Sequence, residues 1–539
     1  MGQFLFWLEA AVTSVLLVAL GLSVLSRVHR PGPRWLVRIA LAGLAVLPWL
    51  AVIGAFAAVE SLAGGALGPL VSSIVAGVGF AVAAAVVIKR GGRPSALGDV
   101  PAASVWRPSR LVLAWAAGLL LTCMTFWNLD LAVRQEMASL RVEAGAIAVS
   151  VASPRVPASQ NAAVQYRQAW EVLDAQKTAA GGWNEAVGQW LHPGTGEFDP
   201  NDARMLEFVG RQGPVIDLLC RAAALPGCDF GTNYSPPSLE TALPALGEMR
   251  GLSRLLCLSA RVAAHQGRTA EAMRDVSAAL ALADHCTTEP ALVASLVSFA
   301  LEGQAFEAFQ YVLNQASPAR EGIDVMHIDN AGSFGAALHR SMRMETAFGM
   351  SFFTMPDPSA VLTASDIPGP QNYAVADGAA PYRVFLWGRD VAAYLRHMRR
   401  YEELSAGEYY ETVHEWRKLV RQPQSKNMGG LLASLLVPAL SSIRENAAKA
   451  EAQHRLITLA IAMWKYRLAE GSFPAELERL MPKYLLTVPI DPFTGKGMKV
   501  ARTDGATVVY SVGPDLSDDG GRAMDRKTMK GDVSLILGR

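Results

Sequence analysis

Four apolar runs, at residues 4–25, 39–59, 66–88 and 111–127, fill most of the first 131 positions. Each offers about the 20 apolar residues that a helix needs to cross the hydrocarbon of a bilayer, the last by continuing towards Leu131. This spacing predicts four transmembrane helices, and the short loops orient them. Arg27, His29, Arg30, Arg34 and Arg38 separate the first two runs, and Lys89, Arg90, Arg93, Arg107 and Arg110 separate the last two. The loop between the second and third runs carries only Glu60. Positive loops stay in the cytoplasm, so the N-terminus and everything after the fourth run are expected on the extracytoplasmic side. The first run has no basic segment ahead of it and no small-residue cleavage site, so it reads as a retained helix. Glu9, the one charge inside it, is expected to reach the interface. Leu120-Leu121-Thr122-Cys123 has Thr where lipidation wants a smaller residue. After residue 131 nothing reads as long and apolar enough to span.

A chain of 539 residues exceeds one core, so at least two water-facing units are expected beside the membrane region. The boundaries read as 1–131, 132–430 and 431–539. Lys and Arg number 49 against 48 Asp and Glu, a net charge of +1 with no basic domain, which argues against nucleic acid as a partner.

Residues 132–430 carry helical periodicity broken by Pro and Gly. Positions 153–157 form a linker. Ala162, Tyr166, Ala169, Trp170 and Leu173 then repeat at helical spacing. The Gly- and Pro-containing stretch 183–202 reads as loop, followed by helices over 202–224 and 244–266. Gly247 and Gly251 weaken the second of these. His265-Gln266-Gly267-Arg268 closes a helix and Thr269 opens the next. This unit resembles a single tetratricopeptide-type hairpin, without the repeats that such an array requires. Cys220, Cys228, Cys257 and Cys286 form no C-x-x-C pair, which argues against structural zinc. Outside the cytoplasm such thiols oxidise. A disulfide across the short loop from Cys220 to Cys228 is one option, and three full pairings remain open.

Catalytic patterns are missing. His414-Glu415 has no second histidine at zincin spacing, and there is no nucleophile elbow, phosphate loop or dinucleotide fingerprint. Met342, Met344, Met350 and Met355 are expected as core fillers rather than copper ligands. The basic, aromatic stretch 394–403 reads as a solvated helix face. Residues 431–443 are apolar but short, and Pro438 interrupts them; they read as buried core or an interfacial element.

The C-terminal end is patterned more sharply. A long helix is expected over 444–469, with His454 packed on it rather than acting as a ligand. A short helix at 475–481, turns at 489–495, strands at 498–502 and 507–511 joined at Asp504-Gly505, and a last strand at 533–537 follow. Tyr466, Glu470-Gly471-Ser472-Phe473-Pro474, Leu477, Leu480, Asp491-Pro492-Phe493 and Tyr510-Ser511-Val512-Gly513-Pro514-Asp515 stand in this order. The last 90 or so residues thereby resemble the C-terminal half of the major pseudopilin of type II secretion systems. In that family an acidic loop after the hairpin binds calcium. By position the resemblance implies Asp515, Asp518, Asp519 and Asp532 as Ca²⁺ ligands, oxygen donors of the kind this cation takes. A pseudopilin starts with its own membrane helix, which this module does not have directly ahead of it, so a filament subunit is not expected. The layout also resembles large uncharacterised bacterial membrane proteins with the same ending.

The expected protein is mainly α: four transmembrane helices in the bacterial inner membrane, then a helical extracytoplasmic domain and a small pseudopilin-like α+β module on the extracytoplasmic side. Its expected role is that of a scaffold or assembly protein contacting membrane lipid and other envelope proteins. The alternatives are an extracytoplasmic hydrolase with a site in the helical domain and a small-solute transporter. A hydrolase predicts a pocket with perturbed carboxylates or histidines, and a scaffold an exposed apolar patch. A transporter predicts polar residues within the spans, where few are present.

Overall fold

The computed structural model describes residues 108–176, 182–192, 198–238, 243–315, 334–355, 387–421, 442–503, 505–525 and 528–538, with Thr241, Ile323, Asp324 and Met326 between them. The first three expected spans, His327 and most of the apolar run 431–443 lie outside the described residues. The fourth expected span falls within helix α1 (Pro108–Val151). The described chain is mainly helical, 67% helix in twelve helices, with one three-stranded sheet.

Backbone contacts divide the chain into two units. One comprises Met1–Leu140, Phe353–Tyr394 and Pro423–Leu436; the other comprises Arg141–Phe352, Leu395–Gln422 and Val437–Arg539. In the first, the Trp387 indole donates to the Phe353 carbonyl at 2.8 Å, and the rings of Phe353 and Tyr394 lie 5.4 Å apart. The second unit holds the sheet and most of the described helices.

Its helices begin where side chains satisfy free amides. Asn161 caps α2 (Ala162–Asp174) by accepting from Ala163 N at 3.0 Å. Asp202 caps α4 (Ala203–Arg211) by accepting from Arg204 N and Met205 N at 2.8 and 3.1 Å, and these amides hold its carboxyl below the usual range. Between the two, 183–202 is not all loop. Trp183, Val187 and Leu191 stand four apart and bury one face of α3 (Trp183–Leu191). The single helix expected over 202–224 is interrupted at Gln212, where Gly213-Pro214 starts α5 (Gly213–Ala223) with Pro in its first turn.

α6 (Pro244–His265) and α7 (Thr269–Cys286) form the expected antiparallel hairpin, and α8 (Leu292–Gln315) packs on both. Gly251 has a packing role in α6. A Cβ there would lie 2.7 Å from the Trp170 ring and 3.0 Å from Trp183, so only glycine admits the two indoles, which meet edge to face.

α8 corrects the expectation that no later stretch suits a membrane. By length and composition it passes as a membrane span, yet 67% of its apolar window is buried within the protein. It is apolar over most of its surface because α6, α7, α12 (Ile443–Glu470) and β3 pack against it. Leu301, Ala305, Phe309 and Val312 are inaccessible to solvent. α9 (Phe334–Phe353) buries Met342, Met344 and Met350 as core, as expected. The His454 side chain on α12 lies 3.1 Å from Glu302 and against the Phe334 ring. α10 (Gly388–Ala406) and α11 (Tyr409–Arg421) complete the helical part.

The C-terminal module follows α12 in the same unit. A 3-10 turn, Leu477–Leu480, stands where a short helix was expected. β1 (Lys499–Thr503), β2 (Ala506–Ser511) and β3 (Val533–Gly538) then form an antiparallel sheet in the order β1-β2-β3. Val509, Leu535 and Leu537 are fully buried, with α12 packed on β2 and β3.

Candidate functional site

Among the polar clusters of the described residues, two bear on function: the acidic loop of the module and a cleft in the helical region. The loop is organised by Asp491 of the Asp-Pro-Phe turn, which is 2% exposed. One carboxylate oxygen accepts from Phe493 N at 2.9 Å and Ser511 Oγ at 2.8 Å, and the other from Val512 N at 3.0 Å. A single buried side chain thus joins the turn to the end of β2, which gives the Asp-Pro-Phe and Tyr-Ser-x-Gly-Pro-Asp patterns a shared structural cause. Gly513 continues the joint at φ 73°, where a Cβ would meet the Gly531 carbonyl at 2.7 Å.

The four expected calcium ligands lie around this joint. Asp515 accepts from Ser517 N at 3.0 Å and Gly531 N at 2.9 Å. Asp532 is fully buried and accepts from Asp519 N at 3.3 Å and Gly521 N at 2.6 Å. Burial pushes its carboxyl up, and the two amides oppose that. Asp518 is taken by the Lys499 ammonium, with Tyr510 Oη and Gly520 N also donating, and these contacts hold its carboxyl down. Among the described residues no three His, Cys, Asp or Glu side chains meet as a metal-binding group. In this arrangement three of the four acids receive amides and an ammonium. That makes a hydrogen-bonded loop, and a cation would have to displace Lys499.

The cleft is elsewhere, with a volume of about 160 Å³, where the end of α1 meets segments 228–235 and 288–290. Asn161 fixes the backbone of Asp229, which lines the cleft. Besides capping α2, it accepts from Asp229 N and donates to Asp229 O, both at 2.9 Å. Asp229 in turn takes Gly231 N at 2.8 Å and pairs with Arg155 at 3.0 Å. Glu289, in the turn between α7 and α8, is 6% exposed. One of its oxygens accepts from Thr232 Oγ1 at 3.0 Å and the other from the Tyr234 hydroxyl. Desolvation pushes the Glu289 carboxyl up, and the Tyr234 and Thr232 donors partly offset it. Burial and the neighbouring carboxylate push the Tyr234 phenol well up. Glu345, half-buried on α9, accepts from Leu292 N at 3.3 Å, and burial pushes its carboxyl up to about 7. Thr232, Tyr234 and Glu289 carry no motif. The one sequence signal is an acid followed by Pro290 in the connection between two helices.

Cys220, Cys228, Cys257 and Cys286 are free thiols, so the possible Cys220–Cys228 staple is not formed. Cys220 faces Asp275 at 3.8 Å, while Cys228 lines the cleft. Burial pushes Cys220 and Cys257 up to about 12, which makes them poor nucleophiles.

In comparisons with protein-family models, curated proteins and solved structures, the chain matches none.

Proposed function

We propose that this protein is a multi-pass inner-membrane scaffold with four transmembrane helices, and that its pseudopilin-like module, on the extracytoplasmic side, is the part that contacts other envelope proteins. The membrane assignment rests on the four apolar runs and their positive loops. The continuous helical backbone of α1 through 111–127 supports it, as do the exposed Met124, Trp127, Leu129 and Leu131 at the end of that run.

The observation that carries the scaffold reading is the outer end of the module. Ring contact between Tyr466 and Tyr484 at 5.7 Å and the Lys483–Glu470 pair at 3.9 Å hold segment 481–486 against the end of α12. Leu468, Met481 and Leu486 are exposed there, Leu486 to 86%. Several large apolar side chains exposed at one place mark a protein contact. The hydrolase alternative draws on the cleft and its raised Glu289, but burial pushes the neighbouring Cys228 thiol and Tyr234 phenol up as well, which makes both poor nucleophiles, so the scaffold reading is preferred.

The test is purification of the intact protein from its own membranes in mild detergent, beside a Leu486→Asp variant. The scaffold reading expects a stoichiometric envelope protein with the wild type and its loss from the variant at unchanged melting temperature. A solitary wild-type protein would sink it.

A further inference from the structure

The cleft carries a ligand reading independent of the scaffold role. Its lining contains three side chains with formal charge, Arg155, Asp229 and Glu289. Arg155 and Asp229 form an ion pair at 3.0 Å. Glu289 is held instead by two neutral hydroxyls, Thr232 and Tyr234. A carboxylate has about four acceptor sites, so two hydroxyls leave room for further donors. Burying such an anion without a cation is costly, and the protein places no ammonium or guanidinium in hydrogen-bonding contact with it among the described residues.

We propose that this cleft binds a small hydroxylated primary amine, with the ammonium on Glu289. Arg155 acts on Glu289 only through space, being paired with Asp229, so the ammonium would bring the contacting positive charge and the N–H donors that Glu289 lacks. The rim accounts for the hydroxyls. Ser153, Asn233, Ser235 and Thr288 line it, and the Ser153 hydroxyl donates to the Thr288 carbonyl across one edge. The apolar side of the lining, Ala148, Val149, Ala152 and Pro290, limits the ligand to a few carbons, in keeping with about 160 Å³. An anionic ligand would meet Asp229 and Glu289 together and be repelled.

The experiment is isothermal titration of the full-length protein in detergent with 2-amino-1,3-propanediol, glycerol and glycerate. The first two have nearly the same shape and differ by an ammonium in place of a hydroxyl. The amine binds at least about tenfold tighter than glycerol, and glycerate does not bind. Glu289→Gln keeps the side-chain size and removes the amine preference. Equal binding of amine and glycerol by the wild type, or no amine binding up to about 50 mM, overturns the proposal without reference to any variant. Retention of the tenfold preference by a folded Glu289→Gln protein overturns it as well.

Discussion

The helical region and the C-terminal module share one compact unit but are held together by different physics. The helical region relies on area. α8 is buried on most of its surface, and the removal of side chains such as Phe309 from water is what fixes it. The module has a small sheet and a short core, and it relies on a few directed polar contacts. Asp491 closes its turn. Gln310 of α8 reaches β3, where its amide donates to Ile536 O at 3.0 Å and its carbonyl accepts from Ile536 N at 2.7 Å. In this way a side chain pairs with a sheet edge that would otherwise be open. Arg417 of α11 donates to Pro514 O at 2.6 Å, and Tyr409 meets the Phe493 ring edge to face at 5.2 Å. Where area dominates, many substitutions each cost a little; where directed contacts dominate, one substitution costs much.

The largest effect that would break this contrast is at Asp491. Asp491→Ala leaves the amides of Phe493 and Val512 and the Ser511 hydroxyl buried without their acceptor, and a loss of about 4 kcal/mol is expected by chemical denaturation. A loss below about 1 kcal/mol would mean that the sheet core alone holds the module.

Glu345 sharpens the helical side of the comparison through pH. Its folded pKa of about 7 lies above its unfolded value of 4.5. Between those values the unfolded chain releases a proton that the folded chain keeps, so stability falls as pH rises from about 4.5 to 7 and then levels off. Glu345→Gln is therefore expected to be more stabilising at pH 8 than at pH 5, by up to about 3 kcal/mol. Equal effects at both pH values would show that Glu345 ionises as freely in the fold as in the unfolded chain.

Gln310→Ala tests the exposed edge contact and is expected to cost about 1 kcal/mol, read as a lower denaturation midpoint. The smallest effect concerns the acidic loop. With Lys499 on Asp518 and backbone amides on Asp515 and Asp532, millimolar calcium is expected to shift the melting temperature by less than about 2 °C, about half a kcal/mol. A shift of several degrees, reversed by chelator, would show that the loop rearranges to take the ion.

Much of the fold was legible because its signals are local. The repeat of Ala162, Tyr166, Ala169 and Leu173, the His265–Thr269 turn and the left-handed Gly471 each define an element within a few residues. The order of turns and strands in the module was legible for the same reason. α3 was obscured because Gly and Pro on either side of it made the whole stretch resemble a loop. The break at Gln212 was hidden by continuous apolar spacing. α8 was overlooked because a helix enclosed by protein and one enclosed by lipid have similar composition. The cleft was not legible at all. Tyr234 and Glu289 are 55 residues apart and meet only because the α6–α7 hairpin returns the chain. The four expected calcium ligands lie near one joint, but their positions in the sequence did not reveal that Lys499 and backbone amides hold three of them, Asp515, Asp518 and Asp532.

The most direct test of the account is hydrogen exchange on the intact protein in detergent. If directed contacts make the module one body with the helical region, the β2 amides of Val508 to Ser511 exchange as slowly as those of Phe306 to Phe309 in α8, and Asp491→Ala speeds the β2 amides first. Fast exchange of β2 in the wild type beside a protected α8 would show that the module opens on its own, and would contradict the account.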